Sequence, residues 1–133
     1  MLQKTLSLSL AVVALIATSN LARAEQTIIQ SGSATASAEG ENSFAASRVN
    51  QSARQNRIRG NQTILQQGSV NSSARGQNNA VTGHIRQSAE QNQVNPNNSQ
   101  RATQNASGDY VGVGNNNTIQ GSSEQRSIQT QQQ

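Results

Sequence analysis

The sequence predicts an all-β chain: a β-solenoid, or cross-β stack, of three imperfect repeats of about 36 residues. Three observations lead to this fold class. A long segment is duplicated without a gap, the matched positions alternate as they do in strands, and the chain has too few apolar residues for an ordinary globular core.

The internal repeat is the clearest feature. Residues 26–61 and 62–97 align at an offset of 36, and 16 of those 36 positions are identical. A third, more divergent copy at 98–133 follows at an offset of 38, which places two extra residues near Asn97 and Asn98. Repeats of fixed length predict supersecondary units that stack on one another. Residues 25–133 are therefore expected to form one repeat region, in which each repeat could supply two turns of about 18 residues, and the sequence leaves the boundaries of the turns open.

The composition excludes an ordinary globular core. After residue 24 the only aromatic residues are Phe44 and Tyr110, the only leucine is Leu65, and Asn and Gln make up about a third of the chain. Such a chain buries too little apolar surface to offset its conformational entropy. It also has no cysteine for a disulfide. The fixed repeat spacing favours order over disorder, but the residues leave open whether the isolated monomer is folded before it assembles.

The matched positions indicate strands separated by corners. Alternation places Gln26, Ile28 and Gln30 on one face of a strand, with Thr27 and Ile29 on the other. A glycine follows in both copies, at Gly32 and Gly68, and predicts a turn there. A second signal, the motif Gly-x-Asn, predicts turns at Gly40, Gly76 and Gly114.

Stacked repeats place amide over amide at the strand spacing of about 4.8 Å. Each side-chain amide carries donors and acceptors, so it can bond to the copies above and below and replace part of the missing core. The predicted structural ladders are Gln30, Gln66 and Gln104; Gln51, Gln87 and Gln125; and Asn42, Asn78 and Asn116. A thin apolar seam is expected where Ile28 stacks on Ile64 and Val49 on Ile85.

Residues 1–24 are predicted to be a secretory signal peptide. Lys4 precedes an apolar run at residues 6–17, and Ala22-Arg23-Ala24 predicts cleavage before Glu25. The run is shorter than the ~20 residues that span a bilayer, so no membrane span is expected after cleavage. Cleavage is therefore expected to deliver the protein to the periplasm.

The repeat resembles the curlin repeats of bacterial functional amyloids, whose units have the form Gln-x-Gly-x-x-Asn-x-Ala-x-x-x-Gln. Gln66, Gly68 and Asn71 match the first half; in the continuation Ala74 is one residue late and Gln77 falls at the expected position. The likeness spans most of the repeat region. It implies export from the periplasm across an outer membrane to the extracellular space or cell surface, nucleated polymerisation, and a role in adhesion or biofilm matrix. The implied partners are further copies of the chain, a nucleator subunit and an outer-membrane secretion pore.

The sequence also departs from the curlin pattern. Its unit is longer than a curlin unit, and the third copy has Ala102 and Ala106 where isoleucine and glycine are expected. The Fap type of amyloid, with long repeats rich in Gly, Asn, Ala and Gln, is a rival resemblance.

No catalytic, cofactor or metal site is predicted. The single histidine, His84, aligns with Arg48 and Ser122 in the other copies and has no partner for a triad or a zinc site. The net charge after residue 24 is about +2 and the arginines are scattered, so a specific nucleic-acid site is not expected. Two interpretations remain for the arginines, solvation or contact with anionic polymers; the residues concerned are Arg54, Arg57, Arg59, Arg75 and Arg86.

The function expected is therefore that of a non-enzymatic, secreted structural protein that assembles into extracellular amyloid-like fibres. Two alternatives stay open: a monomeric β-solenoid that binds a surface, and a disordered secreted linker.

Overall fold

The computed structural model describes residues 8–20, 26–57, 60–94 and 99–132, and it confirms the all-β fold: a parallel β-solenoid of about three turns. These described ranges contain seven strands: β1 (Leu8–Asn20), β2 (Gln26–Glu41), β3 (Phe44–Arg57), β4 (Gln62–Gln77), β5 (Ala80–Gln93), β6 (Gln100–Val113) and β7 (Thr118–Gln131).

The strands form two parallel sheets. The four-stranded sheet has the order β1-β3-β5-β7 and the three-stranded sheet the order β2-β4-β6. Each repeat gives one strand to each sheet, so we call β2 with β3 coil 1, β4 with β5 coil 2, and β6 with β7 coil 3. Neighbouring strands pair at the repeat offset, as in Gln26 with Gln62 and Gln62 with Gln100.

The prediction of two 18-residue turns in each repeat was wrong, because a whole repeat makes one coil. The predicted turns at Gly32 and Gly68 were also wrong, since both residues lie inside strands. Their role is steric. A Cβ at Gly32 would lie 3.2 Å from Cγ1 of Val49, and one at Gly68 would lie 3.0 Å from Cγ2 of Ile85. These glycines lie within continuous strands, and their lack of a side chain lets branched side chains of the opposite sheet approach closely.

Alternate residues of each strand face the space between the sheets. In β2 the inward positions are buried and the outward positions exposed, which is the alternation expected of Gln26, Ile28 and Gln30. The predicted apolar seam is two separate clusters: Ile28 and Ile64 pack with Ala53 and Ala89, whereas Val49 and Ile85 pack with Ala34 and Val70. Buried glutamines lie among these small clusters.

Each coil has two kinds of corner. The corner between its first and second strand carries the glycines Gly40, Gly76 and Gly114, whose φ angles are 113°, 129° and 120°. Their close stacking excludes a side chain, because a Cβ at Gly76 would lie 2.0 Å from the Gly40 carbonyl oxygen. The corner that leads to the next coil varies in length. The pairing offset is 36 from coil 1 to coil 2 and 38 from coil 2 to coil 3, so the two extra residues fall between β5 and β6.

Strand β1 lies within the segment predicted to be the signal peptide. It pairs with the outer edge of β3, from Leu8 opposite Phe44 to Asn20 opposite Asn56. The predicted cleavage junction at residues 22–25 lies outside the described residues. Within the described part of the chain, no helix has the length and hydropathy needed to cross a membrane.

Candidate functional site

The candidate functional site is the set of glutamine columns that run through the stack and the strand edges at which they end. In the first column, Gln66 Nε2 donates to Gln30 Oε1 at 2.7 Å, and Gln104 Nε2 donates to Gln66 Oε1 at 2.8 Å. Gln66 is fully buried. The structure therefore places these three predicted residues in one hydrogen-bonded ladder.

The second predicted column lies in the four-stranded sheet. Gln87 Nε2 donates to Gln51 Oε1 at 2.7 Å, and Gln125 Nε2 donates to Gln87 Oε1 at 3.0 Å. The ladder again joins all three coils.

Two further columns were missed by the sequence reasoning. Gln91 Nε2 donates to Gln55 Oε1 at 3.0 Å, and Gln129 Nε2 donates to Gln91 Oε1 at 2.9 Å. In the three-stranded sheet, Gln100 Nε2 donates to Gln62 Oε1 at 3.0 Å. The signal was available: both columns lie four residues from a predicted ladder, and an even spacing along a strand places both side chains on the same face.

The ladders also join the two sheets. Besides the bond to the preceding coil, Gln66 Nε2 donates to the Ser88 carbonyl at 3.1 Å, and Gln87 Nε2 donates to the Asn105 carbonyl at 2.9 Å. The amide nitrogens of Gln66 and Gln87 thus each use one hydrogen along the stack and one across the core. Buried polar groups that are satisfied in this way can hold a core with few apolar side chains.

All the ladders have the same polarity. The amide nitrogen of the later coil donates to the amide oxygen of the earlier coil. At the coil 3 end the outermost ladder atoms are therefore amide oxygens, on Gln100, Gln104, Gln125 and Gln129.

The predicted asparagine column has a backbone role in the structure. Asn42, Asn78 and Asn116 occupy the corner with φ angles of 57°, 54° and 55°, a left-handed conformation that asparagine tolerates. The side-chain contacts lie one residue later: Asn79 Oδ1 accepts the Ser43 N–H at 2.8 Å, and Asn117 Oδ1 accepts the Asn79 N–H at 3.1 Å.

The outer face of the four-stranded sheet carries axial ion pairs. Arg54 Nη2 lies 2.7 Å from Glu90 Oε2, and Arg86 Nη2 lies 2.8 Å from Glu124 Oε2. The hydrogen bond from Arg54 lowers the pKa of Glu90 below its usual range, with a further bond from Asn92.

The other polar residues singled out in the sequence lie on the outer surfaces. His84 Nδ1 is 2.6 Å from Ser122 Oγ at an exposed position. Arg75 is exposed in β4, the side chain of Arg57 is not among those described, and Arg59 lies outside the described residues. Within the described ranges, no three His, Cys, Asp or Glu side chains are grouped so that they could hold a metal ion.

The coil 3 end holds the one tyrosine. Tyr110 packs against the cluster around Val49 and Ile85, and a Cβ at Gly83 would lie 1.9 Å from its ring. The equivalent pair one coil earlier is Ser47 with Ser72, whose hydroxyls are hydrogen-bonded. The contact between coils 1 and 2 is therefore a pair of serines, whereas the equivalent contact between coils 2 and 3 is Gly83 with Tyr110.

The two ends of the stack differ. At the coil 3 end, β6 and β7 are both edge strands, and β7 is exposed at every position. At the coil 1 end, β2 is an edge strand, whereas β3 is covered by β1. Comparisons with family models, with curated proteins and with solved structures gave no match to this chain.

Proposed function

We propose that this chain is a secreted structural protein that assembles end to end into extracellular amyloid-like fibres. One observation carries the proposal: three glutamine ladders run through all three coils, and at the coil 3 end they stop at the open edges of β6 and β7. An open parallel edge presents unpaired N–H and C=O groups, which is the usual site of strand addition. Identical repeats in register are also the arrangement that cross-β fibres use.

The remaining parts of the proposal follow from the sequence. The signal peptide supports export through the periplasm. The resemblance to curlin repeats supports a role in adhesion or biofilm matrix, with a nucleator subunit and an outer-membrane pore as partners. In this proposal the chain acts as a building material and not as an enzyme, and its buried glutamines hold the stack together.

The test is fibre formation by residues 25–133, which we call the exported chain. Incubation should give thioflavin-positive fibres with a cross-β reflection at about 4.7–4.8 Å. A Gln66→Glu chain should form none at neutral pH, because it places a carboxylate in a fully buried ladder. The matched control is Gln67→Glu, whose side chain is exposed on the same strand and which should form fibres normally. A parent chain that stays soluble and monomeric, even when fibre seeds are added, contradicts the proposal.

A monomeric surface-binding module remains the second candidate, and one observation favours it. Ser33, Ser69 and Ser107 stack in register on the outer face of the three-stranded sheet, where they form a regular row of hydroxyl groups. A folded monomer whose sedimentation is independent of concentration, and which binds a polysaccharide surface, would support this candidate. The ordered coils do not favour the third alternative, a disordered linker.

A further inference from the structure

The surfaces at the two ends of the stack are complementary in register. When the three-stranded sheet is continued past β6, Gln100 and Gln104 meet Gln26 and Gln30 of a second copy. When the four-stranded sheet is continued past β7, Gln125 and Gln129 meet the second copy's Gln51 and Gln55. Every glutamine column therefore continues across the junction without a shift.

The polarity of the ladders selects which ends meet. In the continued stack, Nε2 of Gln30 in the second copy donates to Oε1 of Gln104 in the first, as Gln66 donates to Gln30 within one chain. Two coil 3 ends would instead bring amide oxygens together, and they would also reverse the strand direction that all the pairs in this fold share. The geometry therefore favours unlike ends. A heterologous contact forms an open filament when it does not close into a ring, and continued strand pairing adds each copy further along the stack axis.

Strand β1 covers one half of the coil 1 surface. It occupies the edge of β3, and the residue opposite Gln51 is Leu15. Leucine has no hydrogen-bonding group in its side chain, so the Gln51 column ends there. The side chain of Leu15 points inward, since its Cδ1 would lie 3.3 Å from a Cβ at Gly32. Strand β1 therefore ends the Gln51 column with an apolar side chain and occupies the β3 edge on which a strand of another copy would pair.

We propose that coil 3 of one copy receives coil 1 of the next, with β2 docking on β6 and β3 on β7, and that residues 8–20 block this docking until they are removed. The inference rests on the proposed function, since it names the partner surface and the regulation of the same assembly. An unprocessed chain keeps an open coil 3 surface and a blocked coil 1 surface. It therefore joins only the fibre end that exposes coil 1, and it stops growth there.

Cysteine cross-linking tests the register, because the chain has no cysteine of its own. Ser33 and Ser107 are both exposed, and the register places Ser107 of one copy beside Ser33 of the next. Exported S33C and S107C chains, mixed and oxidised, should give a mixed disulfide at least tenfold faster than either chain alone. The control is T35C mixed with S107C, because Thr35 is displaced by two residues along the same strand and should cross-link at least tenfold more slowly.

The outcomes separate this inference from the proposed function. Fibres that form while S33C or S107C links mainly to itself, or while T35C links as well as S33C, overturn the docking register and leave fibre assembly intact. Mixed disulfides without fibres support the docking and contradict the proposed function. Absence of both overturns both.

The blocking role of β1 is tested by keeping residues 1–24 on one cross-linking partner at a time. A full-length S33C chain should cross-link to exported S107C at least tenfold more slowly than exported S33C does. Full-length S107C should cross-link at the normal rate, because its coil 3 surface is open. A Leu15→Asp change in full-length S33C should restore cross-linking, since a carboxylate cannot be held in the inward position. Equal rates for full-length and exported S33C would overturn the blocking role.

Discussion

Replacement of Gln66 by methionine isolates the contribution of one ladder residue. Methionine has nearly the same length and volume, so the change removes hydrogen bonds without opening a cavity. Three bonds are lost: two donated by Gln66, to Gln30 and to the Ser88 carbonyl, and one accepted from Gln104. The partners left behind include the buried amide oxygen of Gln30.

The expected loss follows from these contacts. A hydrogen bond contributes about 1 kcal/mol net, and a buried polar group left unsatisfied costs about 1–3 kcal/mol. Gln66→Met should therefore lower the free energy of unfolding by about 3 kcal/mol. The control is Gln67→Met at the next, exposed position, where a change within about 0.5 kcal/mol is expected.

The assay is guanidinium unfolding of the exported chain, followed by far-ultraviolet circular dichroism at a concentration at which sedimentation shows a monomer. The midpoint of Gln66→Met should fall clearly below that of Gln67→Met, with little change in the slope. Equal midpoints for the two variants would refute the claim that the ladder holds the coils together. The core would then depend on its small apolar clusters alone.

Three further outcomes are expected. Gly76→Ala should cost about 1–3 kcal/mol in guanidinium unfolding, because the residue has a positive φ and its new Cβ would lie 2.0 Å from the carbonyl oxygen of Gly40; a neutral result would mean that the corner can open. Gly83→Ser should be destabilising with Tyr110 present and nearly neutral with Tyr110→Ser, and a double-mutant cycle should give a coupling of about 1–3 kcal/mol; additive effects would contradict the packing of the ring. Because the pKa of Glu90 is lowered in the folded chain, its contribution is present above the ordinary value of 4.5 and is lost as the pH falls through the lowered value. In that pH range the free energy of unfolding of Glu90→Gln should therefore fall less steeply with decreasing pH than that of the parent chain. The same pH dependence in both chains would contradict a contribution from the ion pair.

The pairing of strands was accessible from the sequence because the repeat is ungapped. An alignment that sets Gln30 over Gln66 is also a strand register, once the strands are parallel and stacked. Strand alternation then places Gln26, Ile28 and Gln30 on the buried face. These inferences need only the length of the repeat and the buried face of each strand, and both can be read from one sequence.

The number of turns in a repeat was not accessible in the same way. A glycine in a sequence does not show whether it bends the chain or makes room for a neighbour. Gly40 bends it, whereas Gly32 lies inside a strand and admits Val49 from the opposite sheet. The difference depends on contacts across the core, which the sequence of one strand does not contain.

The position of residues 8–20 was hidden for a related reason. Their hydropathy indicates a signal peptide, and only Val13, Ala17 and Asn20 match the residues that they face in β3. With so few matches a repeat search passes over the segment. The structure pairs it because an edge strand needs few specific side chains to gain a neighbour.

The two corners of a coil impose different constraints on how the protein can change. The glycine corner stacks backbone on backbone, so its length is the same in all three coils. The other corner already holds two more residues before coil 3 than before coil 2, and the register on either side is kept. In a fibre of stacked copies, that corner recurs along one edge once for every three coils, or about every 14 Å at the strand spacing. A peptide inserted between β5 and β6 would therefore be displayed as a one-dimensional lattice with a period set by the backbone.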